Sequence, residues 1–144
     1  MAYDTKRYAG AARLWAEALA ADPKLADDRQ AQHRYNAACA AALAAAGRGE
    51  DDPKPDDAAR ARLRPQALAW LQAEFAAWAK VLDSGDPKAR PLVRQTLRHW
   101  QVDPDLAGVR DAKALEALPE AERADWRALW AEVDRLLKDA GTAP

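Results

Sequence analysis

Residues 8–23 have the sequence YAGAARLWAEALAADP. Its small and apolar side chains recur at intervals of three and four residues, which is the spacing of one face of an α-helix. The pattern predicts a helix from about Thr5 to Ala21. Asp22 and Pro23 end this helix, because proline disfavours helical geometry in the residue that precedes it.

The same spacing continues along the chain and is interrupted by Gly, Pro and Asp. Gly47 is predicted to adopt the left-handed conformation that ends many helices. Pro65 lies inside the third helical pattern and lacks an amide hydrogen, so we expect a kink or a break near Arg64. Asp103 is expected to cap a short turn that Pro104 opens. The further helices are predicted over residues 27–46, 58–82, 87–100, 111–118 and 119–140, and Gly141 is expected to end the last one.

Each predicted helix carries one apolar stripe, which indicates the side that faces the core. In the second helix the stripe consists of Tyr35, Ala38, Cys39 and Ala42. The fourth helix is expected to turn five residues inward: Leu92, Val93, Thr96, Leu97 and Trp100.

Composition indicates an all-α fold. The chain has no Ile and few Val or Thr, whereas Ala, Leu, Arg, Glu, Gln and Lys dominate. The first group is favoured in strands and the second in helices. With 144 residues, the chain is long enough for one domain with a core of its own.

Five positions of the first helix form a repeat signature. Tyr8, Ala11, Trp15, Ala18 and Pro23 resemble the second helix of a tetratricopeptide repeat, in which small and aromatic residues alternate at fixed spacing before a proline. The resemblance implies antiparallel helical hairpins of the α-solenoid type. Small residues let such helices approach closely, and the aromatic side chain fills the space between neighbouring hairpins.

A second hairpin of the same kind is less regular. Residues 35–40, YNAACA, resemble the first helix of such a repeat, and Ala67 and Leu71 resemble its second helix. Glu74 stands where a small residue is usual, and Ala79 stands where proline is usual. Ala11 and Ala67 lie 56 residues apart, whereas a tetratricopeptide repeat spans ~34. A mobile loop over residues 48–57 and a longer helix would account for the excess.

Four segments together resemble the carboxy-terminal repeat region of large bacterial proteins that often carry a Ser/Thr kinase domain. They read ADPKLAD at 21–27, HRYNAACAAA at 33–42, LDSG at 82–85 and DPDLAGVRD at 103–111. The chain has no glycine-rich phosphate loop, His-Arg-Asp or Asp-Phe-Gly motif, so the resemblance implies no kinase activity. It implies a single domain over 1–144, with repeat hairpins over 5–84 and a capping helical segment over 86–140.

No constellation of residues indicates catalysis, a cofactor or a metal, and we expect the chain not to be an enzyme. Cys39 is the only cysteine, and the two histidines lack the convergent ligands of a metal site. The net charge of −1 gives no general attraction to nucleic acid. No signal peptide and no apolar run of ~20 residues is present. We therefore expect a cytoplasmic protein that binds neither nucleic acid nor membrane.

The function that these features favour is that of an interaction scaffold. In the repeats that the chain resembles, the first helix of a hairpin lines the concave groove. That analogy selects five residues as the candidate surface for a protein or peptide partner: Arg29, His33, Asn36, Ala40 and Leu43. The alternative hypothesis is a homodimer formed through the amino-terminal face, where the chain begins within a repeat. A large exposed apolar patch at Tyr8, Leu14 and Trp15 would favour this alternative.

Overall fold

The computed structural model describes residues 7–28, 32–51 and 53–142, and in these ranges every regular element is helical. The prediction of an all-α chain is confirmed, since the described residues contain no strand. Two 3-10 helices cover Pro23–Asp27 and Pro104–Leu106. Seven α-helices follow one another: α1 Tyr8–Ala21, α2 His33–Ala45, α3 Asp57–Asp83, α4 Ala89–Val102, α5 Ala107–Arg110, α6 Ala112–Glu116 and α7 Glu120–Thr142. In the part of the chain described, no helix combines the length and the apolar character that a membrane span requires.

The chain divides into two compact units, Met1–Leu71 and Gln72–Pro144. The sequence pattern places the junction between the repeat hairpins and the carboxy-terminal helices at residues 84–86. The division between the two compact units falls within α3, so this helix contributes residues to both.

In the first unit, α1 packs against α2. The aromatic rings of Trp15 and His33 lie 5.1 Å apart between centroids, so the start of α2 is close to the middle of α1. Asp51, six residues beyond the end of α2, bonds to Ala9 and Gly10 at the start of α1. The two helices therefore run antiparallel.

Most residues of the second helix are buried. Of its 13 residues, nine are buried, and seven of these are alanine. The Cys39 side chain is 2% exposed and forms no disulfide bond. All four residues of the predicted inward stripe are buried. Because alanine side chains are so short, neighbouring backbones can approach α2 closely on several sides.

The carboxyl end of α2 has the geometry that the sequence predicts. Gly47 has a φ of +78°. Its amide donates to the carbonyl of Ala44 at 3.1 Å, and the amide of Arg48 donates to the carbonyl of Leu43 at 3.0 Å. These two bonds are those of the Schellman motif, in which a left-handed residue satisfies the last carbonyls of a helix.

The predicted start of α2 is wrong by six residues, because the helix begins at His33 and not at Asp27. Residues Pro23–Asp27 form the 3-10 helix instead. The carboxylate of Asp22 accepts a hydrogen bond from the amide of Lys24 at 3.2 Å. This local capping bond, with proline at the first position, favours a tight turn before the chain can enter α2.

The break expected near Arg64 does not occur, since α3 runs from Asp57 to Asp83 with Pro65 inside it. Proline removes one backbone donor, which leaves the carbonyl of Ala61 without its intrahelical partner. Both Pro65 and Ala61 are exposed. Water can therefore hydrate this carbonyl, and the helix continues.

In the second unit, α4 packs against α7. Val93, Leu97 and Trp100 of α4 are buried, as are Trp126 and Val133 of α7. The expectation that Leu92 points inward is wrong, because its side chain is 44% exposed. Adjacent helical positions are ~100° apart around the axis, so Leu92 and Val93 cannot share one narrow apolar stripe.

Hydrogen bonds to backbone carbonyls hold the segment after α4. The carboxylate of Asp103 accepts from the amide of Asp105 at 2.9 Å, which confirms the predicted capped turn. The Arg110 guanidinium donates to the carbonyls of Trp100 and Asp103 at 3.1 and 2.6 Å. The indole N–H of Trp130 donates to the carbonyl of Val109 at 2.9 Å. The final helix continues past the predicted stop, since α7 includes Gly141.

Candidate functional site

A groove of about 440 Å³ lies in the first unit, between α1 and the first turns of α3. Most of its lining is apolar and small: Ala9, Ala12, Ala16, Pro53, Pro55, Ala59 and Leu63. Three polar side chains complete it: Arg13, Arg62 and Gln66. Because an α-helix brings positions three and four apart onto one face, Ala9, Ala12, Arg13 and Ala16 form one wall.

The acidic loop before α3 is fixed to α1 by Asp51. The two oxygens of its carboxylate accept hydrogen bonds from the amides of Ala9 and Gly10, at 3.0 and 3.1 Å. The first amides of a helix have no partner within the helix and carry a partial positive charge. Asp51 therefore caps α1 from a position more than 40 residues further along the chain. This contact holds the loop that contributes Pro53 and Pro55 to the groove.

The opposite wall begins at a second capped helix terminus. The carboxylate of Asp56 accepts from the amide of Ala59 at 2.8 Å. Asp57 adds a negative charge in the first turn of α3, where the helix dipole favours it. These local interactions set the start of α3, so that Ala59, Arg62, Leu63 and Gln66 face the groove.

Two arginines give the groove a positive charge. Arg13 on α1 and Arg62 on α3 are both exposed. Within the described part of the chain, neither side chain forms an ion pair or a hydrogen bond. The floor offers alanine, proline and leucine surface that a small apolar group can cover. The arrangement suits a segment that combines an apolar side chain with a nearby carboxylate, since guanidinium groups bind carboxylates in a bidentate manner.

The surface selected by analogy with the first helix of a repeat is placed differently. Arg29 lies outside the described residues. His33 packs on Trp15, and its Nδ1 is buried with no hydrogen-bond partner among the described residues. Asn36 and Leu43 are half-buried. Ala40 is fully buried and presents no surface to a partner. None of the four described residues lines the groove between α1 and α3.

Sequence reasoning missed Arg13, Arg62 and Leu63 as residues of one site. In the sequence, Arg62 is one of three alternating arginines, with Arg60 and Arg64, and acidic residues precede them. Leu63 is one of the apolar residues that recur at helical spacing in the third predicted helix. Their proximity to α1 depends on the path of the loop and on the long-range contact of Asp51. A carboxylate that follows a glycine-rich turn at residues 47–49 was the one signal for such a contact.

The groove is lined, among the described residues, by arginine, glutamine and apolar side chains. None of these described residues is of a type that commonly serves as nucleophile or general base. The Cys39 thiol is buried and does not line the groove.

Comparison with known proteins leaves the relationship to tetratricopeptide repeats as a prediction from the sequence signature. No family model, no curated protein and no solved structure matches the chain.

Proposed function

We propose that this chain is a non-catalytic protein-interaction module that binds a short peptide segment in the groove between α1 and α3. One observation carries the proposal: a mostly apolar groove of peptide side-chain size includes two exposed arginines that have no ionic partner among the described residues. Binding sites for small ligands commonly have volumes of ~300–1,000 Å³, with mostly apolar walls and a few polar groups. The groove has both properties.

The repeat signature of α1 supports the same function. A tetratricopeptide-like hairpin, in which α1 is the second helix of a repeat, is typical of scaffolds that bind protein segments. The antiparallel packing of α1 on α2 is consistent with the contact between the second helix of one repeat and the first helix of the next. In this proposal the partner contacts the side of α1 that faces α3 and not the side of α2 that the repeat analogy selects.

The lining indicates the chemistry of the bound segment. A side chain of the size of valine or leucine would cover the half-buried Ala16, Ala59 and Leu63, and removing their apolar surface from water is favourable. An aspartate or glutamate next to it in the segment would pair with Arg13 or Arg62. Exposed charge pairs contribute little affinity each, so the expected binding is weak and sensitive to salt.

Self-association through the amino-terminal face is the alternative function. The three side chains that would form the apolar patch differ in exposure. Leu14 is 52% exposed, whereas Tyr8 and Trp15 are half-buried, and the ring of His33 packs against that of Trp15. A single exposed leucine is common on monomeric surfaces, so the described residues favour peptide binding over self-association.

A selection from a random peptide phage library tests the proposal, followed by titration of the selected peptides into ¹⁵N-labelled protein. We expect selected peptides to pair an apolar residue with Asp or Glu, and to shift the amide signals of residues that line the groove. The variant Ala16→Phe fills the groove and should abolish these shifts. The control Ala20→Phe adds the same ring at an exposed position of α1 outside the groove and should leave binding intact.

Two results would contradict the proposal. One is equal binding to both phenylalanine variants, which would place the peptide elsewhere. The other is a set of selected peptides without acidic residues whose binding is unchanged in Arg13→Gln and Arg62→Gln. A mass that rises with concentration in light scattering, with no peptide selected, would instead support the homodimer.

A further inference from the structure

The fourth helix carries an unusual concentration of positive charge. Between Pro87 and Val102 there are four basic residues, Lys88, Arg90, Arg94 and Arg98, and there is no Asp or Glu. Because the whole chain has a net charge of −1, the rest of it carries −5. Charge is therefore segregated onto α4, although the total charge of the protein is close to zero.

Three of these side chains form a ridge along the helix. Arg90, Arg94 and Arg98 are spaced four residues apart, so they rotate by only ~40° at each step and rise by ~6 Å. This spacing places three guanidinium groups on one side of α4 over ~12 Å. We call this set of three residues the arginine ridge.

The arginine ridge has no anionic partner in the described part of the chain. None of its three side chains forms an ion pair or a hydrogen bond there. Nη1 of Arg90 and Nε of Arg94 are buried and lack an acceptor. Arg98 is exposed, and Arg90 and Arg94 are half-buried.

One exposed apolar residue lies beside the ridge on α4. Val102 is 71% exposed, and it follows Arg98 by four residues, so it is only ~40° from Arg98 around the helix axis. The helix buries Val93, Leu97 and Trp100 on its core side. An exposed apolar residue next to a row of charges is typical of an interaction surface.

We propose that the arginine ridge of α4 binds an acidic segment of another protein, with carboxylates repeated about every 6 Å. A helix with Glu at every fourth position matches this repeat. The ridge consists of residues of the second unit and the groove of residues of the first, so the proposal does not depend on the peptide function above.

Other polyanions fit the surface less well. A nucleic acid longer than the ridge would extend past its three charges towards the rest of the chain, which carries −5. Among the aromatic rings of α4, only the small imidazole of His99 is exposed for stacking with bases, since Trp100 is buried. A membrane-surface helix needs a broad outward apolar face, whereas α4 turns its main apolar face into the core. Charge complementarity therefore favours a short acidic protein segment.

Fluorescence anisotropy at low salt tests the proposal with a labelled, helix-forming peptide that carries Glu at every fourth position. The control peptide has Gln at the same positions. The variant Arg94→Gln/Arg98→Gln removes two charges from the ridge. Arg123→Gln/Arg127→Gln is the matched control, because it removes two arginines with the same spacing from α7.

We expect saturable binding of the Glu peptide, loss of about fivefold or more in affinity in the ridge variant, and a change below about twofold in the α7 variant. The Gln peptide should not bind. Equal loss in both variants, or binding of both peptides alike, would overturn the proposal. Stronger binding to duplex DNA or to phosphatidylserine vesicles would overturn the proposal in favour of those ligands. Dimerisation that depends on salt and is abolished by Arg94→Gln/Arg98→Gln would overturn it in favour of a second copy of this chain. Because Arg98 is fully on the surface, Arg98→Gln alone provides a folded variant if the double substitution unfolds.

Discussion

Replacing Asp51 by Ala should destabilise the first unit by about 2 kcal/mol. The carboxylate accepts two hydrogen bonds, from the amides of Ala9 and Gly10 at 3.0 and 3.1 Å. Hydrogen bonds to a charged group contribute about 1.5–3 kcal/mol each when buried, and loss of a helix cap costs about 0.5–2 kcal/mol. Because these bonds are only partly buried, we expect the loss of unfolding free energy to be near the upper value for a helix cap, about 2 kcal/mol.

Urea unfolding followed by far-UV circular dichroism measures this loss, and hydrogen exchange of the amides in α1 locates it. Asp51→Asn keeps an oxygen acceptor without the charge and should cost about half as much. The matched control is Glu50→Ala, which removes the same charge from the exposed neighbouring residue. If Glu50→Ala destabilises the protein as much as Asp51→Ala does, the effect comes from the charge of the loop and the capping argument is refuted.

Three further substitutions test the packing. Gly47→Ala should lower the free energy of unfolding more than Gly85→Ala does, although both glycines have a φ of +78°. A Cβ at Gly47 would lie 3.1 Å from the Arg60 guanidinium, whereas nothing lies within 4 Å of a Cβ at Gly85. Equal losses of stability in urea unfolding would contradict this. Trp130→Phe should cost about 1 kcal/mol, as it removes an indole donor and leaves a backbone carbonyl without it; an unchanged stability would argue against that bond. Leu97→Ala should cost about 2–5 kcal/mol, since the side chain is fully buried, and a thermal melt that moves by less than about 2 °C would contradict its place in the core.

The sequence predicts those parts of the fold that depend on neighbouring residues. The helix end at Gly47 and the capped turn at Asp103 both form as expected, because their hydrogen bonds join residues at most five positions apart. The inward stripe of α2 is also correct, since a period of 3.6 residues is a property of the helix itself. These features require no knowledge of how the helices pack.

The errors at Pro65 and Leu92 arise because the solvent exposure of a position determines which of two local preferences applies there. Pro65 lies inside a helix because water can satisfy the carbonyl that it leaves free, and the sequence alone does not show that this position is exposed. Leu92 was assigned to the core on its residue type, whereas Val93 next to it occupies the buried position.

The groove could not be predicted from local pattern, because its two walls are far apart in sequence. Ala12 and Leu63 are 51 residues apart, and they share a groove only once the loop between α2 and α3 is fixed. The arginine ridge differs in this respect. Its spacing is visible in the sequence, but the lack of acidic partners is visible only in the structure.

The burial of the single thiol in α2 makes its rate of chemical modification a measure of conformational opening. Cys39 is 2% exposed within the alanine-rich α2, so a reagent such as dithionitrobenzoate can reach its sulfur only when the structure around it opens. With no second cysteine to compete, the rate of modification reports the frequency of that opening in the unaltered protein. A ligand that occupies the groove should slow the modification of Cys39, and more so the higher its affinity. This measurement needs no label and no engineered probe.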